Sequence, residues 1–219
     1  MIMAGEIEVN GIRAEKPGHD VPVSAEITIK RDSLPYVSRG GLKLAAALDH
    51  FNVDVHGLTI IDIGASTGGF TDCLLQRGAE RIIAVDVGHG QFHWRLRKDS
   101  RVTILEKTNA RFLTPDDIKT PLNGAVIDVS FISLKIIVPP VSKLLLKGSF
   151  IIALIKPQFE AGRDKVGKGG VVKDPLLHME IIETLSRFFE DQDMTVIGSI
   201  PSPILGPKGN REFLVYLKL

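Results

Sequence analysis

The segment from Asp62 to Phe70 combines a carboxylate with several glycines and could bind a small molecule. An apolar run precedes Asp62 and a helical pattern begins at Phe70, so the segment is predicted to be the turn between a strand and a helix. Gly64 and Gly68 leave bare backbone, which lets a ligand lie close to the chain. Ligand binding is therefore the first chemistry that this turn suggests.

Two common nucleotide-binding motifs do not match this turn. A dinucleotide fingerprint needs glycine at its second position so that a pyrophosphate can approach the backbone, and this chain has Ser66 there. A phosphate-binding P-loop needs lysine and then serine or threonine after its last glycine, and here Phe70 and Thr71 follow. Both motifs are therefore excluded.

The turn also matches the nucleophile elbow of α/β-hydrolases, Gly-x-Ser-x-Gly, with Ser66 at its centre. Asp128 and His178 follow in the chain order of a hydrolase triad. However, His178 falls in a helical pattern after Pro175, and an HGGG-type oxyanion motif is absent from the sequence. A hydrolase is therefore a minor alternative.

The fourth interpretation is the turn that binds S-adenosylmethionine, Asp-x-Gly-x-x-x-Gly-x-Phe. Asp62 would pair with the methionyl ammonium group, and Asp86, which ends the next strand about twenty residues further on, would hydrogen-bond the ribose hydroxyls. A tight turn without a ligand is less favoured, because both carboxylates occur where the cofactor needs them. The predicted cofactor-binding residues are Asp62, Gly64, Ala65, Ser66, Gly68, Gly69, Phe70, Asp86, Val87 and Asn109.

Two later strands end in charged residues that could act on a substrate. One predicted strand ends at Asp128, and the next, an all-apolar run, ends at Lys156. Strand ends of such a fold face the same crevice as the cofactor. Two other kinds of methyltransferase are disfavoured. The Pro-Pro-aromatic stretch of amine methyltransferases is missing after Asp128. A 5-methylpyrimidine enzyme needs a nucleophilic cysteine near the crevice, whereas Cys73 lies in the helix after the glycine turn and is better interpreted as a small buried residue. Lys156 is chemically unusual here, because desolvation disfavours its charged form and prepares it for proton transfer.

Alternating helices and strands fill the chain from Ser38 onward, which predicts an α/β fold with a doubly wound, mostly parallel, Rossmann-like sheet. Ser38 is predicted to cap the first helix, and a later helix is expected over Leu134–Leu146. A β module with a hairpin at Asn10-Gly11 precedes this pattern. The predicted organisation is a module over 1–30, a linker over 31–37 and a catalytic domain over 38–219.

Composition restricts the class of protein more than it identifies a partner. The 219 residues carry 27 Lys and Arg against 26 Asp and Glu, and 44% are apolar, as in an ordinary globular protein. The single cysteine excludes a disulfide framework and fits a reducing compartment. Apolar runs such as Phe150–Ile155 are far shorter than the roughly 18 residues of a membrane span, and the start lacks a signal-peptide pattern. A cytoplasmic protein is therefore predicted.

Basic residues between Gln91 and Arg111 give the nearly neutral chain a local positive stripe. A solvated helix face is the more common interpretation of such a run, and a nucleic-acid surface is the alternative. His89 and His93 stand at helical metal-ligand spacing, but a surface pair is favoured because a third ligand is not evident, so no metal is expected. Trp94 could stack on a base, although packing against the sheet is at least as well supported.

Five motifs, in order along the chain, resemble those of one known family. They are Tyr36–Leu44, Asp62–Phe70, Asp128–Ser133, Lys156–Glu160 and Lys168–Val172. Together they resemble the TlyA family, hemolysin-A-type ribosomal RNA methyltransferases with an FtsJ-like catalytic domain. The resemblance covers nearly the whole chain. It implies methylation of a ribose 2'-hydroxyl in ribosomal RNA, typically at cytidine, with S-adenosylmethionine as the cofactor.

The resemblance also implies a catalytic tetrad of Lys43, Asp128, Lys156 and Glu212. Lys156 would activate the ribose hydroxyl, and the other three would set its charge and hold the nucleotide. The N-terminal module resembles the second half of a ribosomal-protein-S-four-type RNA-binding domain. Ribosomal RNA or a ribosomal subunit is the expected partner, and the expected RNA contacts are Arg39, Arg95, Arg97, Lys98, Lys165 and Lys168.

Two other functions stay open on the sequence alone. One is a membrane-active hemolysin, a label that travels with this family; the lack of a spanning segment or an amphipathic basic helix with an aromatic face weighs against it. The other is an RNA-binding module without catalysis, and the complete tetrad weighs against that.

Overall fold

A computed structural model of the chain describes residues 2, 7–14, 16, 18–29, 34–162, 165–167 and 169–219. The chain folds as two units, Met1–Pro35 and Tyr36–Leu219. In the first, strands β1 (Ile7–Val9) and β2 (Ile12–Arg13) form the predicted hairpin, and β3 (Ile27–Ile29) pairs antiparallel with β1. The positive φ angles of Asn10 and Gly11, 51° and 77°, make the tight turn possible. The similarity of this unit to an RNA-binding domain stays a prediction.

The second unit alternates helices and strands as the sequence pattern predicts. Its strands are β4 (Thr59–Ile63), β5 (Arg81–Val85), β6 (Val102–Leu105), β7 (Leu122–Ile127), β8 (Leu145–Ile155), β9 (Thr195–Pro201) and β10 (Phe213–Lys218). Its helices are α1 (Gly40–His50), α2 (Gly69–Gln76), α3 (Trp94–Arg97), α4 (Pro115–Ile118), α5 (Leu134–Ser142), α6 (Pro157–Glu160) and α7 (Pro175–Glu190).

In the described residues, these strands form one sheet in the order β6-β5-β4-β7-β8-β10-β9. The first five in that order run parallel, and β10 is antiparallel to both of its neighbours. The strand order reverses between β4 and β7, which opens a crevice at the carboxyl ends of these strands. The predicted Rossmann-like, mostly parallel fold is confirmed. Because Asp128 follows β7 and Lys156 follows β8, the topology brings both residues to this edge.

Helices on both faces bury the middle of the sheet. Along β8, Ile151, Ala153 and Ile155 pack into the core that includes α5 and α7 residues, and the alternate residues face the α1 and α2 side. Strand β8 is therefore apolar on both faces, as a central strand of a parallel sheet must be.

Three local predictions from the sequence are corrected. Ser38 does not cap α1, since the N-cap position is Arg39 and no side-chain cap is formed there. The helix expected to reach Leu146 ends at Ser142, because Leu145 already begins β8; an apolar run suits a helix and a buried strand equally. Trp94 is 65% exposed and so does not pack against the sheet.

Candidate active site

A cavity of about 410 Å³ opens at the carboxyl end of β4 and β7. Residues 38–40 before and at the start of α1 form one side, and the glycine turn after β4 forms another. Residues 204–208, between β9 and β10, close a third side, and Lys43 and Asp128 complete the wall. Its size falls within the range of small-molecule sites.

The four residues of the expected tetrad form two ion pairs at this cavity. The Nζ atom of Lys43 lies 2.5 Å from Glu212 Oε2, and the Nζ atom of Lys156 lies 2.6 Å from Asp128 Oδ1. Lys43 and Asp128 line the cavity itself, and Glu212 and Lys156 are their partners. The fold thus brings together residues from α1, the end of β7, the end of β8 and the start of β10.

Burial makes these pairs different from surface salt bridges. Glu212 is fully buried, and Lys43 and Lys156 are 8% and 9% exposed. Gly206 leaves room for the Glu212 carboxylate, since a Cβ atom at Gly206 would lie 2.1 Å from Glu212 Oε1. A buried charge that loses its partner is costly, so each pair depends on both members being present.

The glycine turn packs directly against the loop that carries Asp128. Gly64 has a φ of 82°, and a Cβ atom on it would lie 2.4 Å from the Asp128 carbonyl oxygen. Gly68 has a φ of 95°, and a Cβ atom there would lie 2.4 Å from a methyl carbon of Leu96. Bare backbone is thus required at both positions, and the turn forms a narrow cradle beside the tetrad.

Asp62 lies beneath this turn and does not line the cavity. Its side chain is fully buried, and the Thr71 hydroxyl donates a hydrogen bond to Asp62 Oδ2 at 2.6 Å. Burial away from water raises the pKa of Asp62 to about 7, against the lowering effect of the Thr71 hydrogen bond. Thr71 thereby ties Asp62 to the first turn of α2, while Asp62 Oδ1 has no hydrogen-bond partner among the described residues, and its predicted contact with an ammonium group stays a prediction.

Asp86 fixes the conformation of two neighbouring loops. Its carboxylate accepts hydrogen bonds from the backbone N–H of Ser66 at 2.8 Å and from that of Gly88 at 2.7 Å. Val87 is 71% exposed, and Asn109 Oδ1 accepts from the Arg111 N–H at 3.1 Å. Asp86, Val87 and Asn109 lie outside the lining of the cavity, so their contact with a cofactor stays a prediction.

The predicted RNA contacts differ in their surroundings. Arg39 lines the cavity and donates to the Leu205 carbonyl oxygen. Three others are paired with carboxylates: Arg95 with Asp72, Arg97 with Glu106, and Lys165 with Glu180. The Nζ atom of Lys98 lies 5.3 Å from the centre of the Trp94 ring, and Lys168 falls outside the described residues.

Sequence reasoning missed the exposed aromatic residue Phe131. It is 89% exposed with a φ of 64°, and its ring centre lies 5.0 Å from that of Phe159. The adjacent Ser130 hydroxyl accepts a hydrogen bond from Lys156 Nζ at 2.9 Å. A bulky residue in the left-handed region is uncommon and marks a site where surrounding structure holds the backbone under strain. Its position directly after the Asp128 strand end was the available signal.

The rival chemistries lack their geometry in this structure. The Ser66 hydroxyl lies 3.5 Å from Gln91 Oε1, whereas His178 Nε2 lies 3.0 Å from the Val172 carbonyl oxygen, so a hydrolase triad is not assembled. Cys73 is fully buried, and burial raises the pKa of its thiol to about 11, which disfavours the nucleophilic thiolate. In the described part of the chain there is no cluster that could hold a metal ion and no helix that could span a membrane.

Comparison with known proteins identifies relatives of the chain. Residues 36–219 match the family model for FtsJ-like methyltransferases. The chain is 49% identical over 217 residues to YqxC of Bacillus subtilis, which is named as an rRNA methyltransferase. The match includes 99% of this chain and 77% of YqxC. It is 42% identical over 219 residues to TlyA of Mycobacterium tuberculosis, a 16S/23S rRNA (cytidine-2'-O)-methyltransferase, and covers 82% of it with 100% of its own length.

Solved structures agree with these relatives. A protein from Streptococcus thermophilus that carries the hemolysin name superposes with a TM-score of 0.86 at 47% identity, over 99% of this chain and 80% of that one. An S-adenosylmethionine-dependent methyltransferase from Mesorhizobium loti has a TM-score of 0.58 at 12% identity, over 80% of this chain and 96% of that one, and supports the fold alone. The chain belongs to the TlyA family and carries an FtsJ-like methyltransferase domain over residues 36–219.

Proposed function

We propose that the chain methylates a ribose 2'-hydroxyl of ribosomal RNA, at cytidine, with S-adenosylmethionine as the methyl donor. The observation that carries this proposal is the pair of buried ion pairs, Lys43 with Glu212 and Lys156 with Asp128, beside the glycine turn. The activity for which the relative TlyA is named supports the nucleotide and the class of RNA. A ribosomal RNA substrate also supports a cytoplasmic location.

The residues around the glycine turn fit the cofactor. Gly64, Ala65, Ser66, Gly69 and Phe70 line the cavity and would hold it against bare backbone. When bound, S-adenosylmethionine supplies an electrophilic methyl group on a positively charged sulfur. Asp86 orders this cradle through the Ser66 amide, and each of its carboxylate oxygens keeps a second lone pair that a ribose hydroxyl can use.

In its neutral amine form, Lys156 is the group that takes the proton from the 2'-hydroxyl; the ion-paired ammonium form must first release its own proton to solvent. Its Nζ atom contacts Asp128 Oδ1 and the Ser130 hydroxyl, which fix two of its directions. Besides its bond to carbon, the amine nitrogen has three positions for hydrogen bonds. Two are used by Asp128 and Ser130, so the third stays available for the substrate. Asp128 stabilises the ammonium ion that forms once the proton has been transferred.

Lys43 and Glu212 hold the other side of the reacting centre. Glu212 is fully buried, and its ion pair with Lys43 fixes the ammonium group at the cavity wall. Lys43 thus presents a positioned donor to the oxygens of the target ribose. Orientation of this kind supplies much of the rate enhancement, because a ribose hydroxyl is a weak acid that reacts only when aligned.

Phe131 offers a surface for the target base. Its ring is exposed beside Phe159, and it lies three residues after Asp128 in the loop that follows β7. RNA-modifying proteins commonly stack unpaired bases on aromatic rings, so Phe131 would serve as the stacking surface for the target cytosine.

The Lys156→Ala variant tests this function. Turnover on ribosomal subunits from cells that lack the enzyme should fall about 10²–10⁴-fold, the range for loss of a general base. The affinity for S-adenosylmethionine, measured by calorimetry, should change little, because Lys156 is not part of the turn. Lys147→Ala is a matched control, since Lys147 is an exposed lysine on the opposite half of the same strand, β8.

The methylated nucleotide should be mapped by its resistance to alkaline hydrolysis at the 2'-O-methyl position. Near-normal methylation by Lys156→Ala would overturn the role of Lys156. A product methylated on a base would overturn the proposed reaction.

A further inference from the structure

Two cations on the cavity wall have no carboxylate partner in the described part of the chain. Arg39 Nη2 donates to the Leu205 carbonyl oxygen at 3.0 Å, and Lys208 Nζ donates to the Gly169 carbonyl oxygen at 3.0 Å. Both side chains are exposed, and both line the cavity that contains Lys43 and Asp128. A carbonyl dipole does not cancel a full charge, so both cations keep their charge available to an anion.

The other charged residues of the cavity wall are compensated. Lys43 is paired with Glu212, and Asp128 is paired with Lys156. The uncompensated charge that these residues leave at the wall is therefore positive and is carried by Arg39 and Lys208. A concave wall with one sign of charge raises the local concentration of an oppositely charged ligand.

Helix α1 adds to this positive potential. Residues 38–40 line the cavity, and α1 begins at Gly40 without a side-chain cap and without an acidic residue in its first turn. The amino-terminal end of an 11-residue helix carries partial positive charge, which favours anions.

The segment that carries Lys208 is held in place by a buried amide. Asn210 is 2% exposed; its Oδ1 accepts from the Val172 N–H at 3.1 Å, and its Nδ2 donates to the Gly170 carbonyl oxygen at 3.0 Å. The backbone of Lys208 has a φ of 58°, a conformation that is uncommon for residues other than glycine. Strain that the surrounding structure maintains is a feature of binding sites.

We infer that Arg39 and Lys208 form a phosphodiester-binding subsite that holds the RNA backbone next to the target nucleotide. The inference rests on the proposed function and adds a ligand group and a new residue, Lys208, to it. The guanidinium of Arg39 can give two parallel hydrogen bonds to a phosphate, and Lys208 supplies a mobile point charge from the opposite wall segment.

The test is a salt titration of RNA binding by Arg39→Ala, Lys208→Ala and the double variant. Binding of purified large and small ribosomal subunits is measured by filter retention from 50 to 200 mM potassium chloride. Each lost phosphate contact should lower the slope of log affinity against log salt by about 0.7 to 0.9. Lys208→Arg should keep the wild-type slope, and Lys147→Ala is the control. Calorimetry with S-adenosylmethionine should give wild-type affinity for all variants.

The outcomes separate this inference from the proposed function. If the wild-type chain methylates the subunits but Arg39→Ala and Lys208→Ala keep its salt slope, the subsite is wrong and the function stands. If the wild-type chain neither binds nor methylates either subunit, the proposed function fails, and the subsite fails with it. A lower slope in both single variants, with an additive change in the double variant, supports two phosphate contacts.

Discussion

The basic run on and after α3 and the cavity wall both carry positive residues, but their charges are in different states. On α3, Arg97 pairs with Glu106 and Arg95 with Asp72, while Arg101 pairs with Asp99 just after it. At the cavity, Arg39 and Lys208 contact carbonyl oxygens. The sequence shows the denser cluster on α3, although its arginines Arg95, Arg97 and Arg101 are paired and the two cations of the cavity wall are not. The number of basic residues in a segment is therefore a poor guide to where an anion binds.

Asp62 is the negative counterpart of these uncompensated charges. It is buried beneath the glycine turn, and its hydrogen-bond partner is the neutral Thr71 hydroxyl. Glu212, equally buried, has the Lys43 ammonium group beside it. The two carboxylates are buried to a similar depth, but only Glu212 has a cation packed against it.

The largest expected effect comes from removing the uncompensated carboxylate. Folding raises the pKa of Asp62 from 3.8 to about 7, so the folded chain keeps this proton to a higher pH than the unfolded chain does. The contribution of Asp62 to stability is therefore lost as pH rises through this window. Through this group, the free energy of unfolding of the wild type should fall by roughly 2–4 kcal/mol between pH 4 and pH 7, and Asp62→Asn should remove that fall.

Urea unfolding of Asp62→Asn at several pH values gives this comparison. Asp116→Asn, a change at an exposed carboxylate, is the control. An identical pH profile for Asp62→Asn and the wild type would show that Asp62 is not buried as an uncompensated group.

An intermediate effect is expected when a paired cation on α3 is released. Glu106→Gln removes the charge opposite Arg97. The glutamine keeps a side-chain oxygen that can accept the hydrogen bond that the Gly90 N–H now donates to Glu106. Freed in this way, Arg97 should gain one phosphate contact and steepen the salt slope of subunit binding by about 0.7 to 0.9. Filter retention over the same salt range measures it. A slope that does not change would mean that the α3 surface lies away from the RNA.

The smallest effect is expected from truncating cations that are already paired. Arg95→Ala and Lys165→Ala each remove a side chain that has a carboxylate partner, Asp72 and Glu180 respectively. Both cations already face a carboxylate and offer little free charge to the RNA, so subunit affinity should change by less than about fivefold, or ~1 kcal/mol. A drop as large as that of Lys208→Ala, in the same assay, would erase the contrast between the two regions.

Much of the fold followed from local patterns in the sequence. The helical pattern noted after Pro175 is helix α7 (Pro175–Glu190) in the structure, because its apolar spacing and the Asp174-Pro175 start are local signals. The end of the helix at Ser142 was missed, because the apolar run that follows it suits either element until β7 and β10 are in place beside it.

The candidate site divides in the same way. The position of the glycine turn could be predicted, because strand, turn and helix are consecutive and glycine is the residue favoured where φ is positive. The burial of Asp62 could not be, since it depends on Thr71 and on the elements packed around the turn. Phe131 was missed for a similar reason: its exposure results from a strained loop and not from any periodic pattern.

The sequence by itself determined the alternation of elements, the glycine turn and the family that the motifs indicate, because these depend on residues close together along the chain. Only the tertiary structure decided which charges are compensated. Lys43 pairs with Glu212, although most of the chain separates the two residues in sequence. Lys156 pairs with Asp128 because each follows one of two adjacent strands. Lys208, by contrast, reaches the cavity wall beside a carbonyl oxygen. Charge compensation acts over a few ångströms in space, and that distance is set by packing between segments and not by spacing along the sequence.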